Sequence, residues 1–131
     1  MTVCVIDSSA LIALAFAEST ATALTARLVT YPQRFIGTPT LIESSIVHVT
    51  RHPRASESAI VELLDTLKIE TIDFSIAMQQ HAWLAWLRYG KGRHKASLNY
   101  GDCMSYGVAS AMNAPLLFIG NDFSCTDIAV A

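Results

Sequence analysis

Short apolar runs rich in β-branched residues alternate along this chain with segments whose apolar residues recur at helical spacing, and that alternation limits the fold more than any other feature. Residues 1–6 read as a buried strand, and Asp7-Ser8-Ser9-Ala10 as a helix start leading into Leu11, Ile12, Leu14 and Phe16. Residues 18–29 read as a second helix and 35–37 as a short strand. Thr38 and Pro39 suit the cap and first position of a third helix, which Pro53 ends after His52. Helical spacing resumes over 54–68, strand character over 69–72, and a fifth helix spans 75–88. Residues 89–98 lose all periodicity and form a polar, glycine-punctuated loop. Asn99 caps a sixth helix running to Met112, Pro115 precedes the strand 116–119, and Gly120-Asn121-Asp122 turns the chain. Strands alternating with helices predict an α/β architecture, a mostly parallel sheet covered on both faces. With no internal repeat or linker, residues 1–131 are expected to form one domain.

Composition narrows the class. Hydrophobic residues make up 52% and charged residues 15%, which excludes disorder and raises the question of a membrane. Asp7, Glu18, Glu43 and Asp102 interrupt every apolar stretch well short of the roughly 18 to 20 residues a spanning helix needs. Residues 3–17 resemble a signal peptide only superficially, because they lack a basic leader and carry Asp7 in their middle. Cys4, Cys103 and Cys125 are an odd number with no metal-binding spacing; they read as apolar filler and fit a reducing, cytoplasmic setting. A net charge of −2 requires that any nucleic-acid contact be local.

The acids carry the functional signal. In a parallel sheet, ligands bind beyond the carboxyl ends of the strands. Asp7 directly follows the first strand, Asp122 follows the last, and Asp102 lies in the first turn of the helix capped by Asn99. Glu43 lies about one turn into its helix beside Leu41, Ile42, Ile46 and Val47, too far along to be a cap. Each aspartate also has a local explanation: Asp7 and Asp102 suit helix caps, and Asp122 suits a turn. Taken together, four converging carboxylates repel one another, and a divalent cation removes that penalty. All-oxygen ligation points to Mg²⁺, with Mn²⁺ as substitute, and to phosphodiester hydrolysis.

These residues resemble a known family. Val5-Ile6-Asp7-Ser8-Ser9-Ala10, Leu41-Ile42-Glu43-Ser44-Ser45, Leu98-Asn99-Tyr100-Gly101-Asp102-Cys103 and Leu116-Leu117-Phe118-Ile119-Gly120-Asn121-Asp122, with Thr126-Asp127-Ile128, look like the PIN-domain ribonucleases and specifically the VapC toxins of bacterial toxin–antitoxin pairs. The likeness spans nearly the whole chain, including the Gly90 to His94 loop. It implies a three-layer α/β/α fold with an about five-stranded parallel sheet, Mg²⁺-dependent endonuclease activity on RNA, and inhibition by a cognate VapB-type antitoxin. Asp7, Glu43 and Asp102 match the family's acidic positions. Many relatives carry an acid where this chain has Gly120, so the resemblance leaves the fourth open between Asp122 and Asp127.

Arg88, Lys91, Arg93, His94 and Lys95 form a basic loop just before Asp102, placed to hold RNA phosphates or to be a solvated surface loop. His48 and His52 are four apart, but no Glu follows His48 and Pro53 disrupts the helix, so zinc is set aside. Trp83 and Trp86 read as core or dimer contacts rather than base-stacking platforms, and with Met78 they suggest an apolar surface for self-association, a homodimer. Two other classes remain: a phosphatase using Asp7 as nucleophile, which would want a second acid where Ser9 stands, and a PIN-fold RNA- or protein-binding module without catalysis.

Overall fold

The computed structural model describes residues 2–131. Its elements run β1 (Val3–Ile6), α1 (Ser8–Ala15), α2 (Ala21–Leu28), β2 (Gln33–Gly37), α3 (Thr38–Arg51), α4 (Ala59–Thr66), β3 (Glu70–Ile72), α5 (Ile76–Tyr89), α6 (Tyr100–Ala111) and β4 (Leu116–Leu117). The four strands pair in the order β3-β2-β1-β4, all parallel. The expected fifth strand survives as a single bridge, Leu116 to Val130, with the Leu116 N–H donating to the Ala129 carbonyl at 2.9 Å.

The strand pleat sorts side chains between two cores, as a period of two requires. Val5 and Leu116 join α5 and α6 on one face, whereas Cys4, Ile6, Ile36 and Leu117 join α1, α2 and α4 on the other. This is the three-layer α/β/α arrangement. Fully burying each such aliphatic side chain contributes about 1.5–3 kcal/mol, so the sheet is the stable platform from which the loops at its carboxyl edge project. Helices α5 and α6 approach closely at Gly107, where a Cβ would lie 2.9 Å from Ala82 Cβ. Among the described residues, no helix is long and apolar enough to cross a membrane.

Several local expectations shift. Gly37, not Thr38, is the cap of α3, with no side-chain hydrogen bond; Pro39 does fall at the helix start. Helix α4 begins at Ala59, because the chain after Pro53 goes through turns. Met78 is buried, whereas Trp83 is half exposed, which reverses part of the expected surface on α5. Burial pushes the thiols of Cys4 and Cys103 up to about 11, so both remain neutral filler at neutral pH, but Cys125 is exposed.

Candidate active site

The strand order reverses at β1: the chain leaves it for β2 and β3 on one side and returns to β4 on the other. A crevice opens at such a switch point. Asp7 sits there, 3% exposed, at the end of β1 and at the cap of α1. A carboxylate this buried needs hydrogen-bond donors, and it has three. Asp7 Oδ2 accepts from the Ser9 N–H at 3.1 Å and the Ser9 hydroxyl at 2.7 Å, and Oδ1 accepts from the Ser105 hydroxyl of α6 at 2.5 Å. Ser9 Oγ in turn accepts the Ile119 N–H at 3.0 Å, and Ser105 Oγ lies 3.3 Å from Thr40 Oγ1 of α3. Residues from four segments, α1, α3, α6 and the chain after β4, thus converge on one carboxylate. Ser105 and Thr40 are not singled out in the sequence, and Ser9 stands there in a helix-start motif and at the place where a phosphatase would want a second acid.

Asp102 reaches the same crevice from the first turn of α6. Its Oδ2 accepts the Asn99 N–H at 3.0 Å while Asn99 Oδ1 accepts the Asp102 N–H at 2.9 Å, a reciprocal capping box. Burial raises the Asp102 pKa from 3.8 to about 6; the Asn99 N–H opposes the shift, and the charges of Asp7, Asp122 and Glu43 reinforce it. The three other expected acids are therefore its electrostatic neighbours.

Glu43 projects from α3 with its carboxyl group over Gly101, and lines a cavity of about 290 Å³ with Ser8, Ser9, Arg51 and Ile119. Asp122 is exposed in the loop after β4, beside Phe123, which is buried and packs its ring 5.1 Å from Phe118. Asp127 lies elsewhere. It accepts the Tyr106 hydroxyl at 2.5 Å and lines a different cavity with Ser110 and Asn113, toward the far end of α6.

Among the described residues, no three His, Cys, Asp or Glu side chains lie close enough to close directly on one metal ion. The four acids nevertheless fit a hard divalent cation in chemistry, being oxygen donors only, with the charges of Asp7, Glu43 and Asp122 all acting on Asp102. Mg²⁺ normally keeps several of its waters, so it does not require a tight protein cage. The histidines do not add to the set: the His48 and His52 rings both stack on Phe16, at 5.2 and 4.8 Å.

The basic loop directly precedes Asn99 and Asp102 in the chain. The Gly90–Leu98 bridge and the Lys91 N–H donating to the Leu98 carbonyl at 2.8 Å close it immediately before Asn99. Gly92 turns it at φ +83°, a region that favours glycine. Arg93 is committed to the scaffold, with its guanidinium 5.0 Å from the Trp86 ring and its Nε donating to the Leu87 carbonyl at 3.1 Å. His94 Nδ1 accepts the Ala96 N–H at 3.0 Å, and its ring packs edge-on to Tyr89. Arg88, Lys91 and Lys95 remain exposed.

Comparison with known proteins bears on the family and the fold. The PIN domain family model matches residues 4–128. Ribonuclease VapC36 of Mycobacterium tuberculosis is 37% identical over 125 residues, covering 95% of this chain and 90% of its own, and ribonuclease VapC of Mycolicibacterium smegmatis is 38% identical, covering 95% and 97%. Among solved structures, M. tuberculosis VapC20, described as a sarcin-ricin loop cleaving toxin, superposes with a TM-score of 0.75 at 18% identity, covering 98% of each chain. A toxin–antitoxin complex from Klebsiella pneumoniae gives 0.73 at 19%, covering 98% of this chain and 96% of its own. At those identities the structures speak to the fold, and the sequence relatives carry the rest: the chain belongs to the PIN-domain family, among the VapC ribonucleases.

Proposed function

We propose that this protein is a divalent-metal-dependent endoribonuclease, the toxin of a toxin–antitoxin pair, with Asp7, Glu43, Asp102 and Asp122 as its metal-holding acids. The observation that carries the site is the raised Asp102, whose neighbours in charge are the other three acids at the switch point of the sheet. Mg²⁺ is the expected ion, with Mn²⁺ as substitute. When bound, such an ion activates water and stabilises charge on a phosphodiester.

The chain's own residues supply the rest. Ser9 and Ser105 hold both oxygens of Asp7 in one orientation, leaving lone pairs for a cation. Asn99 fixes Asp102 from behind. Lys91, Lys95 and Arg88 offset the repulsion between the acids and a polyanion and so hold the backbone phosphates of RNA, while Arg93 and His94 shape the loop that presents them.

The phosphatase reading is disfavoured because it wants a second acid two residues after Asp7, where Ser9 stands and is taken up in bonding Asp7 and the Ile119 N–H. The inert-module reading is opposed by the grouping of all four acids. A VapB-type antitoxin is the proposed protein partner, supported by the toxin–antitoxin complexes among the structural neighbours. A second copy of the chain is also proposed as a partner, supported by the exposed Trp83, Leu84, Leu87 and Tyr100. Purified protein incubated with RNA and with a generic phosphate ester, with and without EDTA, tests the reading: RNA alone should be cut, and only when metal is present. Ester hydrolysis, or RNA cleavage indifferent to EDTA, would overturn it.

A further inference from the structure

Gly101 is an odd choice for the second residue of α6. Alanine is the better helix former, and the backbone there does not require glycine, since Gly92 and Gly120 are the glycines with positive φ. A Cβ built on Gly101 would lie 2.9 Å from both Cδ and Oε1 of Glu43 and nearer still to Oε2. The place a side chain would occupy is filled by a carboxylate arriving from another helix. Gly107, in the same helix, has an ordinary packing reason, the backbone and Ala82 of α5; at Gly101 the neighbour is a functional acid.

We propose that Gly101 is a positioning residue: its bare Cα is the seat that lets the Glu43 carboxylate reach across the first turn of α6 toward Asp102. Any Cβ meets the far end of a flexible side chain, so the cheap response is for Glu43 to swing away while the helix stays in place. The consequence is a displaced ligand in a folded protein. The link to metal rests on the function proposed above, whereas the seat itself is a matter of packing.

The test uses Gly101→Ala, Glu43→Ala and the double variant, with Mn²⁺ as the probe. Gly101→Ala should weaken Mn²⁺ binding about tenfold, the usual scale for disturbing the support of a metal ligand, and should do nothing further once Glu43 is already Ala. Glu43→Asp, one methylene shorter, should recover part of the missing Mn²⁺ affinity in the Gly101→Ala background. A crystal structure of metal-free Gly101→Ala should show α6 in place and the Glu43 carboxyl moved off residue 101. Unchanged Mn²⁺ affinity, the same weakening in the Glu43→Ala background, or a shifted helix with Glu43 still seated would each overturn the proposal. If the parent protein binds no Mn²⁺, the metal-site reading fails and the crystal structure alone decides the seat.

Discussion

The Ser105 hydroxyl donates a 2.5 Å hydrogen bond to Asp7 Oδ1, joining the second turn of α6 to the end of β1 across 98 residues of sequence. A hydrogen bond to a buried charge contributes about 1.5–3 kcal/mol. Ser105→Ala should lower stability by that order, and should reduce cleavage because Asp7 loses one of its two side-chain restraints. Urea unfolding and initial rates on one RNA substrate check it; a variant as stable and as active as the parent would show that Ser9 alone positions Asp7.

Asp7→Asn should abolish RNA cleavage in a protein that still folds. The amide oxygen can accept the Ser9 N–H, and the Ser105 hydroxyl can rotate to accept from the amide nitrogen, so the local geometry has a neutral solution. Circular dichroism together with a cleavage assay tests this. Near-normal cleavage would remove Asp7 from the site.

Asp102 makes the metal-free protein sensitive to pH. Its folded-state pKa of about 6 lies above the ordinary 3.8, so between those values the native state binds more protons than the unfolded chain. Stability therefore falls as pH rises through that window and levels off above about pH 6. The loss is on the order of 1 kcal/mol once solvent screening of a partly exposed group is allowed for. Asp102→Asn keeps an acceptor for the Asn99 N–H while removing the charge, so at pH 7.5 in EDTA it should melt at or above the parent temperature. Asp102→Ala, which also loses the cap, should melt lower than Asp102→Asn by the value of a cap, about 1 kcal/mol. Thermal melts of the three proteins at pH 5 and pH 7.5 check the sign; a parent stabilised by raising the pH would contradict it.

The paired variant Lys91→Ala with Lys95→Ala should raise KM for RNA and leave kcat at saturation little changed. It should also flatten the dependence of log K on log salt by about 0.7 for each phosphate no longer neutralised. Arg93→Ala should behave differently, destabilising the fold because its guanidinium packs on Trp86. A steep fall in kcat with unchanged KM for the lysine variants would move the loop from binding to chemistry.

The layered fold was legible because short continuous apolar runs such as Cys4-Val5-Ile6 mark strands buried on both faces, and because Asp7 and Asp102 stand at element starts that sequence rules identify. Glu43 was legible as an acid with no capping excuse. The hydroxyl relay through Ser9, Ser105 and Thr40 was not, since serines and threonines cap, turn and decorate surfaces in equal measure and nothing local distinguishes one aimed at a distant carboxylate. Met78 departs from the expected surface, whereas Trp83 stays half exposed, because helical spacing defines a face only to within a residue or so and the close approach at Gly107 turns the Met78–Ala82 side of α5 inward. Asp122 and Asp127 are indistinguishable by sequence alone; Tyr106 engages Asp127, whereas Asp122 is among the charges that raise Asp102, and that contrast is what supports proposing Asp122 as the fourth acid.

The single bridge between Leu116 and Val130 has a bearing on how copies of this protein meet one another. It covers the outer side of β4, an apolar strand that would otherwise present a row of unpaired backbone groups, and the opposite rim of the sheet is β3, three residues long with Glu70 and Thr71 exposed. Short, polar rims discourage strand addition between chains, the route by which apolar parallel sheets aggregate. Both rims of the sheet in this aliphatic-rich chain are thus poor templates for a strand from another copy.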